Sequence, residues 1–106
     1  MEFQDMQQRA MEVRQRYAAL EQTKFGRSWT GEEIAMGFVG DVGDLMKLVM
    51  AQHGIRDIPD AKQKLGHELA DCLWAVIVLA DVYGVDLERA FLTTMDDLET
   101  HIASQR

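Results

Sequence analysis

Apolar residues recur along this chain at steps of three and four, in four separate stretches. In the first, from about Glu2 to Glu21, Phe3, Met6, Ala10, Val13, Tyr17 and Leu20 form a narrow stripe against a Gln, Glu and Arg face. That spacing predicts an amphipathic bundle helix. Residues 23–31 interrupt the pattern. Thr30 followed by Glu33 is a capping-box signature, so a second helix is predicted from about Gly31 to Gln52, with Ile34, Phe38, Val42, Leu45, Leu48 and Val49 on its apolar side and Gly54 ending it. After a short loop, Asp57 is expected to cap a third helix with Pro59 in its first turn, running to about Tyr83 before Gly84. This helix is apolar nearly all round from Leu69 to Tyr83, so it should be central or covered by a second chain. Asp86 opens the fourth, striped by Leu87, Phe91, Met95, Leu98 and Ile102. No strand alternation competes, because the flanking helical pattern overrides the short run Val76–Val78. The expected fold is all-α, a four-helix bundle with short loops.

Composition narrows the function classes. The 106 residues suit one domain, residues 1–106, and a single proline favours long helices. With 11 basic and 18 acidic residues the net charge is −7, which argues against a nucleic-acid partner bound through a basic face. One cysteine, Cys72, precludes an internal disulfide and fits a reducing compartment. The longest apolar run, Cys72–Ala80, falls far short of the ~20 residues of a membrane span. No basic region followed by an apolar stretch opens the chain. The expectation is a cytoplasmic protein with no membrane partner.

The informative residues are acidic ones inside apolar helices. Asp41 and Asp44 lie in Gly-Asp-Val-Gly-Asp-Leu on the second helix; Glu68 and Asp71 lie in His-Glu-Leu-Ala-Asp-Cys on the third. The i, i+3 spacing sets each pair about 60° apart and about 4.5 Å along the axis, so the two carboxylates project together. A short connection predicts antiparallel helices on which the pairs can face each other. Two carboxylates about 5 Å apart repel by about 3 kcal/mol at an effective dielectric of 20, so four together call for protons or a cation. One such pair alone is ordinary on a solvated face. Two pairs in apolar sequence, with Gly40 and Gly43 where a helix interior disfavours glycine by about 1 kcal/mol each, favour a metal site. The donors are all oxygen, which suits Mg²⁺ or Mn²⁺ over structural Zn²⁺.

These two motifs, with the following Leu79-Ala80-Asp81-Val82-Tyr83-Gly84-Val85-Asp86-Leu87, resemble the E-x-x-E … E-x-x-D signature of the MazG-like all-α NTP pyrophosphohydrolases over roughly residues 30–95. The resemblance implies a Mg²⁺-dependent enzyme that cleaves a (d)NTP to a (d)NMP and pyrophosphate, of house-cleaning type, assembled as a homodimer or dimer of dimers. Carried over by position, Asp41, Asp44, Glu68 and Asp71 would hold the metal, with Glu68 and Asp71 as the catalytic carboxylates. The first motif carries Asp where the family usually has Glu. The last helix has Thr94-Met95-Asp96-Asp97-Leu98 where dCTP-directed branches have Lys-Met-x-x-Asn.

With that Lys absent, Lys24, Arg27 and Lys47 become the expected phosphate contacts. Trp29 is expected to stack a base or to cover the core. Trp74 and Cys72 read as packing residues and His67 as an exposed histidine. Two rivals stay open: a non-catalytic oligomerisation or ligand-binding module on the same fold, and a hydrolase of another phosphoanhydride such as phosphoribosyl-ATP.

Overall fold

Each helix begins and ends where its local chemistry requires. In the computed structural model, which describes residues 2–105, these are α1 (Phe3–Phe25), α2 (Gly31–Gln52), α3 (Ala61–Val82) and α4 (Leu87–Ser104). The Thr30 side chain accepts from the Glu33 N–H while the Glu33 carboxylate accepts from the Thr30 N–H at 3.1 Å, which completes the expected capping box. Asp86 caps α4 by accepting from the Arg89 N–H at 3.1 Å. Gly84, at φ 69°, follows the end of α3 as expected.

Two boundaries differ from the sequence reading. α1 continues one turn past Glu21 to Phe25. Thr23, Lys24 and Phe25 tolerate a helix, and Gly26 is the first residue to take the left-handed conformation (φ 76°) in which its N–H closes back on the Gln22 carbonyl. α3 starts at Ala61, not beside Asp57, and Pro59 lies in the preceding turn. Asp60 is the N-cap, at φ 55°, a region that aspartate enters more readily than most residues, and its side chain makes no capping hydrogen bond.

α3 is the central helix. It lies along α2 and also meets α1. The start of α2 meets the end of α3: a Cβ on Gly31 would sit 2.8 Å from the Tyr83 hydroxyl and 2.9 Å from a Val82 methyl. The two helices are therefore antiparallel, and a glycine lets them close. The buried residues are Ala10, Ile34, Leu48, Ala75, Ile77, Val78 and Ala80, so the core runs along the α3 seams. Trp74 ties α3 to α1: its Nε1–H donates to the Ala10 carbonyl at 3.1 Å, and its ring meets Tyr17 edge-on at 5.9 Å. This is the expected packing role for Trp74.

The outer faces are unfinished. α4 buries no residue and barely touches the other helices; Phe91, Leu92, Leu98 and Ile102 are all more than half or about half exposed. Leu69 and Leu73 of α3 and Met36, Val39 and Met46 of α2 are exposed too. The chain exposes 8207 Å², against about 6,000 Å² for a compact monomer of this mass. Its radius of gyration is 16.9 Å, where about 13 Å is usual for this length.

Candidate metal centre

The antiparallel α2–α3 pair brings its carboxylates together. Asp41, Asp44 and Glu68 each place one carboxylate oxygen so that all three lie within 4.8 Å of one another. The Glu68 Oε2 atom is shut off from solvent and, among the described residues, has no hydrogen-bond partner. An ionised oxygen left this way is costly unless a proton or cation reaches it. Burial, and then the charges of Asp41, Asp71 and Asp44, push the Glu68 carboxyl above the ordinary range. Burial, Asp71 and Asp44 do the same to Asp41. Burial raises the half-buried Cys72 thiol as well, which agrees with a packing role for this residue.

The donor set fits a small hard cation. Mg²⁺ binds oxygen at about 2.1 Å and so spans about 4.2 Å between opposite ligands. Modest side-chain movement would close the three oxygens on it. Asp71, expected as a fourth ligand, lies outside this set. Its Oδ2 is 3.3 Å from Nε2 of the exposed His67 one turn earlier. Gly40 and Gly43 meet nothing where a Cβ would stand, so the close approach expected there is not made within the chain and that face of α2 is open.

Of the expected phosphate contacts, the structure brings only Lys47 to the carboxylates, with its Nζ 4.0 Å from Asp44. Lys24 lies in the last turn of α1, and Arg27 and Trp29 lie in the connection that enters the far end of α2. Gly31 and Asp41 are ten residues apart on one helix, about 15 Å, further than a nucleoside extends from its α phosphate. Arg27 is also engaged, donating from Nη1 and Nη2 to the two Glu33 oxygens at 2.6 and 3.0 Å. That pairing lowers Glu33 to about 2.

Trp29 is 43% exposed, and its backbone is held on both sides. Its carbonyl accepts from Arg14 Nη2 at 2.6 Å, and its N–H donates to Glu21 Oε1 at 2.7 Å. Arg14 and Glu21 are themselves 3.6 Å apart and mostly covered. Sequence reading passed over this pair; its signal was two opposite charges at i, i+7 bordering the α1 stripe.

A second feature was also missed. Beside Glu68 opens a hollow of about 410 Å³, walled by Leu48, Asp60, Gln63, Lys64, His67 and Glu68. The signal in the sequence is the i, i+4 spacing of Asp60, Lys64 and Glu68.

Residues 30–101, which include both acidic motifs, match the family model of the MazG nucleotide pyrophosphohydrolase domain. The chain is also similar to the uncharacterized protein YvdC of Bacillus subtilis (strain 168), 38% identical over 73 residues that cover 58% of this chain and 69% of that one. No solved structure matches. No helix among the described residues is long and apolar enough to cross a membrane. With four helices in the expected order and the acidic motifs meeting between the second and third, this chain belongs to the MazG nucleotide pyrophosphohydrolase domain family.

Proposed function

We propose that the protein is a Mg²⁺-dependent nucleotide pyrophosphohydrolase that converts a (d)NTP and water into a (d)NMP and pyrophosphate. The observation that carries this reading is the meeting of three carboxylates from two helices, one of them Glu68, whose Oε2 is partnerless among the described residues. Asp41, Asp44 and Glu68 would hold the ion, and Mn²⁺ suits the same oxygens. Bound there, a divalent cation would neutralise phosphate charge and activate water. Glu68 and Asp71, the motif carboxylates of α3, would take the proton of the attacking water. The water oxygen bonds to the α phosphorus, and the α–β bridging oxygen leaves on pyrophosphate with the bonding electrons. Lys47 is within reach of the phosphates.

We also propose that the working form is at least a homodimer. The surplus of about 2,200 Å² over a compact monomer would give an interface of the size of obligate dimers. Trp29, Arg27 and Lys24 enter the site in this reading only from a second copy. A cytoplasmic location agrees with the single unpaired cysteine.

The test is to incubate the purified protein with Mg²⁺ and a panel of standard and modified (d)NTPs, measuring monophosphate and pyrophosphate separately, beside Glu68→Gln. Equal amounts of both products, abolished in the variant, are expected. No product from any nucleotide would overturn the reading.

A further inference from the structure

The hollow beside Glu68 gives the carboxylate cluster two unlike ends. Glu68 belongs to both, as one of the three clustered carboxylates and as part of the hollow's wall. From Glu68 toward the start of α3, the wall carries Lys64 and His67, with the Gln63 amide beside them. Lys64 stands one turn, about 6 Å, before Glu68 on the same helix face. Among the described residues it forms no ion pair, and it is exposed to solvent. The first turn of α3 adds N–H groups that the Asp60 side chain leaves uncapped. Toward the start of α2 the chemistry changes. One turn before Asp41 on its face stand Gly37 and Phe38, and a Cβ on Gly37 or Gly40 would meet nothing. Neither position carries charge.

Resting on the reaction proposed above, we propose that the hollow receives the β and γ phosphates and holds the departing pyrophosphate, with Lys64 as its cationic ligand and Gln63 as a hydrogen-bond donor, while the nucleoside lies the other way, over Gly37 and Gly40. The substrate is thereby given a direction along the α2–α3 pair. When the α-phosphorus–oxygen bond breaks, the electron pair moves onto the pyrophosphate, so the added charge arises on the side where Lys64 stands. Asp60 also lines the hollow and offsets one positive charge. Pyrophosphate therefore depends on the divalent cation at Glu68 for its binding.

Calorimetric titration of the full chain with pyrophosphate and with a nucleoside monophosphate, each with and without Mg²⁺, tests this without requiring turnover. Pyrophosphate should bind in Mg²⁺ only. Lys64→Ala should weaken it by roughly tenfold or more, Lys64→Arg should restore most of the loss, and monophosphate binding should change little. Where the nucleotide assay shows turnover, Lys64→Ala should also raise the inhibition constant of pyrophosphate by a similar factor. Unchanged pyrophosphate binding in Lys64→Ala, or equal losses for both products, would overturn the assignment while leaving the hydrolytic reading intact. A wild-type protein that cleaves no nucleotide yet shows the Lys64-dependent binding would overturn that reading and leave the pyrophosphate site standing.

Discussion

α2 and α4 carry apolar stripes of similar spacing, yet they end in opposite situations. α2 finds α3 within its own chain, buries Ile34 and Leu48, and sets two carboxylates opposite a third. α4 has well-formed caps and an amphipathic stripe but buries nothing. Spacing therefore tells which face of a helix is to be covered, and says nothing of whether the cover lies in the same chain. The chemistry is assembled inside the α2–α3 hairpin, whereas the outer surfaces of α4, and of α2 and α3 away from their seam, are left for a second copy under the assembly proposed above.

The largest effect expected concerns the hairpin. Glu68→Gln should lower turnover by about 10²-fold or more while sedimentation and helical circular dichroism stay as in the wild type. Loss of helix in this variant would instead make the carboxylate part of the fold. The outer surface comes next. Phe91→Asp combined with Leu98→Asp should weaken self-association by roughly thirtyfold or more, read by sedimentation across a concentration series. A wild-type protein that stays monomeric at micromolar concentration would break the comparison.

The pH response sharpens it. Burial and neighbouring carboxylates raise Asp41 and Glu68, so the metal-free fold holds protons there more tightly than the unfolded chain. That stability is fully present below the ordinary carboxylate range and is lost as pH rises through the raised values. Glu33 has the opposite sign: its contribution is present above its ordinary value and is lost only as pH falls toward about 2. The metal-free protein should thus melt higher as pH is lowered from 7.5 toward the ordinary carboxylate range, and saturating Mg²⁺ should narrow the gap. Identical melting temperatures at pH 7.5 with and without Mg²⁺ would count against a cation at the cluster. The smallest effect is expected at the α1–α2 turn. Arg14→Ala removes one hold on Trp29 and leaves Glu21 without its cation, at a cost of about 1–2 kcal/mol in urea unfolding.

Helix order, the Thr30 and Asp86 caps and the meeting of the acidic motifs were legible in the sequence because each rests on local spacing. The α3 start was not. Pro59 fits a first helical turn as well as a preceding turn, and the left-handed Asp60 decides between them. The place of Asp71 was hidden for a similar reason: the i, i+3 rule sets its direction from the helix, but its Oδ2 lies 3.3 Å from Nε2 of His67 one turn back and outside the three-oxygen set. The distance from Trp29 to the carboxylates follows from helix rise alone. It was obscured because Trp29 stands in a connection beside Phe25 and Arg27, where an aromatic suits stacking and core cover alike.

The hydrogen bond from Trp74 to the Ala10 carbonyl has a consequence beyond packing. With Tyr17 5.9 Å away, its excited-state energy passes readily to the indole, so the native protein should show little tyrosine emission from that site. Release of α1 from α3 would restore it and shift the Trp74 spectrum to the red. Light emission would thus report directly whether the first helix is seated on the third.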